Sequence, residues 1–269
     1  MPEIPALSAL LDAAVAEGAS PGLVAAATTA EGPIHLSAHG ERAAGSGEPM
    51  PSDAIFRIFS MTKALGTAAL LKLAETGAVS LDAPVEELLP EFREVRRLEG
   101  WDGDAPRLRA PSTPCTLRHL ASHTAGFAYD VWHAEQARYL KAVGGKPVLT
   151  GEKSALAGFP LHFEPGTDWA YGVSTDWLGL AVEAAAGERI DAFLAREILA
   201  PLGMTSTGLR PLPGDPAEAR RPAVHARSAE GFRVIDLELP ARPGFVGMGH
   251  ALESTAEDYA RFCAMLLGD

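Results

Sequence analysis

Ser60 and Lys63 stand three residues apart in the run Ile58-Phe-Ser-Met-Thr-Lys-Ala-Leu-Gly-Thr-Ala-Ala-Leu-Leu71, where Lys63 is the only charge. On a helix this spacing puts the hydroxyl and the amine on one face, a turn apart. A helix that is apolar on all sides is a buried one, and an unpaired ammonium inside it is costly. A serine nucleophile whose proton is taken or relayed by that amine would justify the burial. The helix start would also offer backbone N–H groups to a developing oxyanion. The plainer reading makes Ser60 an N-cap and lets Lys63 snorkel to the surface. No other S-x-x-K occurs in the chain.

A second stretch is Glu164-Pro-Gly-Thr-Asp-Trp-Ala-Tyr171-Gly-Val-Ser174-Thr-Asp-Trp-Leu-Gly179. Pro165-Gly166 marks a turn, and Ser174 is the expected N-cap of the following helix. Tyr171 then sits in the loop ahead of that helix, where a phenol can project into a cleft. A tyrosinate beside an ammonium is a good proton acceptor; the alternative is a tyrosine packed at a lobe boundary.

The remaining signals are weaker. His119 and His123 share a helix face but lack the H-E-x-x-H pattern, so no metal is expected. Asp102-Gly-Asp104 reads as a solvated turn. Gly172-Val-Ser174-Thr-Asp176 fails the G-x-S-x-G pattern at its last position, and no strand leads into it, which rejects Ser174 as a nucleophile. No phosphate-binding glycine loop is present, and no cofactor is expected. Cys115 and Cys263 form neither a disulfide framework nor a zinc motif.

These residues need elements to hold them. Periodicity predicts a helix over 5–17, a hairpin from Gly22–Thr29 and Pro33–His39, and a helix from about Ser60 to Glu75 ended by Gly77. From Asp82 to Leu239 the chain reads as helices cut by Pro and Gly, clearest at 116–123, 174–186 and 190–198. The last helix, 255–267, would set Tyr259, Phe262, Met265 and Leu266 on one face. This order predicts an α+β fold whose sheet domain, residues 1–80 and 240–269, carries the Ser60 helix. An all-helical lobe, residues 81–239, would carry Tyr171.

The chain has 269 residues, 47% of them apolar, and a net charge of −12. That length supports a full core, and the acidic balance disfavours nucleic acid and anionic membranes. No apolar stretch reaches membrane-spanning length. The first Lys or Arg is Arg42, which fits neither a secretory signal nor a transit peptide and gives a cytoplasmic expectation.

Four segments recur in a known order: Ile55-Phe-Arg-Ile-Phe-Ser-Met-Thr-Lys63, Leu120-Ala-Ser-His-Thr-Ala-Gly-Phe127, Pro201-Leu-Gly-Met-Thr-Ser-Thr-Gly208 and Gly249-His-Ala-Leu-Glu-Ser-Thr-Ala-Glu-Asp-Tyr259. With the Tyr171 stretch they resemble the serine β-lactamase and penicillin-binding-protein superfamily, in particular its class C-like branch, the family VIII carboxylesterases. The resemblance runs from about residue 5 to 267. It implies a β-lactamase/transpeptidase-like fold, an antiparallel sheet flanked by helices. It also implies Ser60 as nucleophile, Lys63 as its partner and Tyr171 as general base, acting on a small-molecule ester through an acyl-enzyme, with acyl transfer to another alcohol as a variation. Relatives that act on amides or β-lactams read Tyr-x-Asn, whereas this chain has Val173, which removes a hydrogen-bond donor. Hydrolysis of β-lactams or D-amino-acid peptides is the alternative within the superfamily, and an inactive binding module is the alternative outside catalysis. The chain has no K-[ST]-G, and comparison with the family gives the expectation of a C-terminally shortened form with an incomplete sheet. Such a form would be weakly active and would self-associate or take a complementing C-terminal segment.

Overall fold

The computed structural model describes residues 4–268; the outermost residues of the expected sheet domain, 1–3 and 269, lie outside the described residues. The helices are α1 (Pro5–Ala16), α2 (Thr62–Glu75), α3 (Val85–Leu88), α4 (Leu117–Ala121), α5 (Ala134–Val143), α6 (Ser174–Ala186), α7 (Ile190–Leu194) and α8 (Ala256–Leu267). The strands are β1 (Gly22–Thr29), β2 (Gly32–Gly40), β3 (Phe56–Arg57), β4 (Arg97–Asp102), β5 (Ala105–Arg109), β6 (Gly208–Leu209), β7 (Val224–Ser228), β8 (Gly231–Ile235) and β9 (Leu252–Ser254). The described residues form two compact units, 4–58, 199–241 and 252–268 in one, and 59–198 and 242–251 in the other.

In the first unit β1 and β2 form the expected antiparallel hairpin, from Gly22 opposite Gly40 to Thr29 opposite Gly32, with a bulge at Ala27/Thr28. Helix α1 packs on β2, and α8 on both strands. The inward face of β2 is polar, with His35, Ser37 and His39 buried. Each is satisfied in one chain of hydrogen bonds. Ile4 N–H donates to His35 Nδ1 (2.8 Å), Ser37 Oγ bridges His35 Nε2 (2.9 Å) and His39 Nε2 (2.8 Å), and His39 Nδ1 reaches Asp12 Oδ1 (2.6 Å). A second small sheet has the order β3-β9-β6. At its centre the fully buried Glu253 receives both arms of Arg221 at 2.8 Å. On α8 the expected apolar face is only partly covered: Phe262 is buried, whereas Met265 and Leu266 are exposed.

In the second unit α2 packs against α6 and α7, and α6 against α4. Leu65, Leu70, Phe127, Trp177, Leu178 and Ile190 fill that core, where Trp177 stacks on Phe127 and meets the edge of Phe92. The expected domain boundary at residue 80 would separate α2 from α6 and α7, the elements on which it packs. Helix α2 is not covered on every side, since Ala64 and Leu71 are exposed.

The segment 81–239 is not all-helical. It contains the hairpins β4–β5 and β7–β8, turned at Gly103-Asp104 and Ala229-Glu230. Gly-Asp between short strands is a hairpin signal, met here by Gly103 at φ 59°. The charged strands hid it: their exposed faces carry Arg and Glu rather than the apolar residues by which strands are usually read.

Candidate active site

The site is built in the second unit. Ser60 lies in a 3₁₀ turn, Phe59–Met61, ahead of α2, so the regular helix begins two residues later than the sequence suggested. Phe59 takes φ 40°, a left-handed backbone that a bulky residue adopts only under constraint. The turn leaves Ser60 exposed, while Lys63, in the first turn of α2, is buried. Lys63 therefore does not snorkel. Its Nζ donates to Ser60 Oγ (3.1 Å) and to the Gly249 carbonyl (2.9 Å), and it lies 4.7 Å from the Tyr171 ring centre and 5.3 Å from that of Tyr129. Ammonium over an aromatic face is attractive, more so away from water.

Gly249 reaches this point because the segment before it is wedged between two helices. Met248 is fully buried. A Cβ on Gly66 of α2 would come within 3.0 Å of it, and one on Gly179 of α6 within 2.7 Å. Only glycine at both positions leaves room for that side chain.

Tyr171 is held by pairing between two loops. Tyr129 N–H donates to the Tyr171 carbonyl (2.9 Å), Ala170 N–H to that of His123 (3.1 Å) and Gly166 N–H to that of Thr124 (2.8 Å). His123, at φ 58°, sets its ring 4.9 Å from Tyr171, whose other neighbours are Tyr129 at 5.4 Å and Trp132 at 5.7 Å. His123 lies past the end of α4, off the face of His119, whose Nδ1 accepts from Thr116 N–H in a capping box. Among the described residues no group of His, Cys, Asp and Glu is arranged to hold a metal.

Helix α6 is capped by Val173, not Ser174. Ser174 is the first helical residue and fully buried, which excludes it as an accessible nucleophile. Val173 is likewise fully buried. One turn on, Asp176 is fully buried, and its Oδ1 accepts from Gly249 N–H at 2.9 Å. Burial lifts the Asp176 carboxyl to about 6, against the Gly249 N–H and the Lys63 charge, which pull it down. His250 Nδ1 stands 3.9 Å from Asp176 Oδ1. Burial, then the charge of Lys63, lowers both His250 and His123 to about 4, so both are neutral near pH 7. Tyr129 is held well above the usual phenol range by burial, then by Asp176 and Tyr171.

Ser60, Tyr129, Tyr171, Gly249 and His250 line one cavity of about 610 Å³, whose mostly apolar wall includes Trp132, Leu140, Val148, Leu149 and Phe159, with Asp130, Lys141 and Lys146 among its polar residues. The fold thus brings Ser60, Lys63 and Tyr171 together. It adds Tyr129, Asp176 and His250, which sequence reasoning did not single out. His250 lay inside a quoted segment and Asp176 five residues past Tyr171, but neither has a local signal. The geometry presents an exposed hydroxyl hydrogen-bonded to a buried amine, with a phenol alongside and an apolar wall beyond, a set suited to acyl transfer.

The chain matches the family model described as Beta-lactamase over residues 7–269. It is similar to the lovastatin esterase of Penicillium rubens, 32% identical over 96% of this chain and 67% of that one. Its structure resembles simvastatin synthase (LovD6 mutant) of Aspergillus terreus, TM-score 0.86 and 29% identity over 97% of this chain and 66% of that one. It also resembles EstCE1, a hydrolase with promiscuous acyltransferase activity, TM-score 0.79 and 25% identity over 95% and 70%. The chain spans between 45% and 67% of the length of the curated relatives it matches. Among the described residues no helix is long and apolar enough to cross a membrane. The fold is β-lactamase/transpeptidase-like, and the chain belongs to the beta-lactamase family, alongside esterases and acyltransferases.

Proposed function

We propose that the protein is a serine hydrolase that cleaves small-molecule carboxylic esters through an acyl-enzyme, with acyl transfer to a second alcohol as a variation of the same steps. The observation that carries this reading is the Lys63 Nζ hydrogen bond to Ser60 Oγ (3.1 Å) at the wall of an apolar cavity. Ser60 Oγ attacks the acyl carbon, and its proton passes to the phenolate oxygen of Tyr171, the general base. The Lys63 ammonium, already donating to Ser60 Oγ and the Gly249 carbonyl, stabilises the alkoxide. Collapse of the tetrahedral intermediate expels the alkoxide of the alcohol, which takes the proton back from Tyr171. Water, or another alcohol, then gives its proton to Tyr171 and attacks the acyl-Ser60 ester; Ser60 Oγ leaves and takes that proton back, and the acid or a new ester is released. Val173 supplies no side-chain donor for a substrate amide, and with the apolar wall this favours esters over amide-bearing substrates.

The test is intact mass after a fluorophosphonate, with mapping of the labelled residue, beside turnover of p-nitrophenyl butyrate and nitrocefin. One adduct at Ser60 with faster ester turnover is expected. Label at another serine overturns the site, faster nitrocefin turnover returns the β-lactamase alternative, and no label with no turnover favours the inactive binding module.

A further inference from the structure

A buried ammonium needs a compensating charge, yet the side chains in contact with Lys63 are a serine hydroxyl and two aromatic rings. The carboxylate that answers it stands one residue away through the backbone. Asp176 Oδ1 accepts from the N–H of Gly249 at 2.9 Å, and the carbonyl of that same Gly249 accepts from Lys63 Nζ at 2.9 Å. Asp176 is fully buried, in the first turn of α6, where the helix dipole favours a negative charge. The approach is close, since a Cβ on Gly249 would stand 2.8 Å from Asp176 Oδ2 and 3.1 Å from the Tyr129 hydroxyl.

Resting on the reading of Ser60 and Lys63 given above, we propose that Asp176 is the positioning residue and counter-charge of Lys63, acting through the Gly249 backbone. Its carboxylate fixes the N–H of Gly249 and so aims the Gly249 carbonyl at the amine. The negative charge balances the ammonium without binding it, which leaves the Lys63 donor free to point at Ser60. A direct ion pair would draw the amine away from the nucleophile, whereas a carbonyl holds it without neutralising it. The groups that face Asp176 are Lys63 from α2, Tyr129 from the loop after α4, and Gly249 and His250 from the segment 242–251. Of these only Lys63 carries charge near neutral pH, because His250 is held at about 4 and Tyr129 far above its usual range. The carboxyl, raised to about 6, takes up a proton as the pH falls through that value, so the counter-charge is lost on the acid side.

Two substitutions separate aim from charge. Asp176→Asn keeps an oxygen able to accept from Gly249 N–H and removes the charge, whereas Asp176→Ala removes both. Turnover of p-nitrophenyl butyrate from pH 5 to 9, circular dichroism and fluorophosphonate labelling are measured on both and on the unsubstituted protein. Asp176→Ala is expected to lower kcat by about 10²-fold, the scale of a misplaced reacting group, with KM within about twofold. Asp176→Asn should recover part of kcat and lose the decline below about pH 6. The proposal is overturned if folded Asp176→Ala keeps kcat within about threefold, or if Asp176→Asn keeps the acid limb of the unsubstituted protein. Should Asp176→Ala not fold, the pH profile of Asp176→Asn decides alone. Failure of fluorophosphonate to label Ser60 in the unsubstituted protein would instead sink the underlying reading.

Discussion

Lys63 Nζ and the carbonyl oxygen of Gly249 lie 2.9 Å apart across 186 residues of sequence. The direction of the amine is therefore set as much by the segment 242–251 as by α2. Met248, lodged against Gly66 and Gly179, ties that segment to both helices that carry the site. A distortion anywhere in this wedge reaches Ser60 through one hydrogen bond.

The first prediction concerns the three candidate residues themselves. Ser60→Ala should abolish ester turnover and fluorophosphonate labelling with an unchanged circular dichroism spectrum. Lys63→Ala and Tyr171→Phe should each lower kcat by at least about 10²-fold, the usual contribution of a positioned proton-transfer group. Near-normal turnover in either variant would remove that residue from its assigned role.

Gly249→Ala tests the close approach. The added methyl would meet both Asp176 oxygens and the Tyr129 hydroxyl at 2.8, 3.0 and 3.1 Å, so the backbone must retreat. Overpacking of this kind costs about 1–3 kcal/mol. A thermal midpoint several degrees lower is expected, together with a loss of turnover larger than the loss of folded protein. A variant with unchanged melting and kcat would show that the segment is not held tightly.

Acid should destabilise the second unit. His123, His162 and His250 sit at about 4 rather than 6.5, in each case chiefly because burial penalises the charged ring. A depressed folded value means stability present above pH 6.5 and lost as the pH falls towards 4. Each shift is worth on the order of 3 kcal/mol at most. Asp176 runs the other way, because its raised value gives a contribution that is full below 3.8 and fades as the pH rises through about 6. Three histidines outweigh one carboxyl, so urea unfolding should show lower stability at pH 4.5 than at pH 7.5. Equal or greater stability at pH 4.5 would contradict this balance.

Substrate class can be read from the cavity wall. Trp132 lines it beside Tyr171 and is largely exposed, ready to cover an apolar group. Trp132→Ala should raise KM for p-nitrophenyl butyrate by about 2–10-fold, the worth of one aromatic contact, with kcat little changed. An effect on kcat alone would place Trp132 with the reacting groups instead.

Local chemistry was legible where the chain itself fixes the geometry. The hairpin β1–β2 follows from two short runs split by Glu31-Gly32, and α6 and α8 from their periodicity. What the sequence concealed lies where polar side chains face inward. The run Pro33–His39 reads as an apolar strand, yet its buried side is His35, Ser37 and His39, satisfied by one another and by Asp12. The hairpins β4–β5 and β7–β8 were hidden for another reason, the charged residues on their exposed faces.

The sequence by itself determined the Ser60–Lys63 pair, because three residues of helical backbone place two side chains on one face whatever surrounds them. Its apolar neighbours along α2 set burial of Lys63 against snorkelling to the surface, and the structure buries it. Only the tertiary structure decided what balances that burial. Asp176 and Gly249 are 73 residues apart and far from Lys63 in the chain, and a carboxylate, a glycine and a lysine carry no mark of one another. Their relation exists because packing excludes water there and leaves the backbone of Gly249 as the one path between the charges.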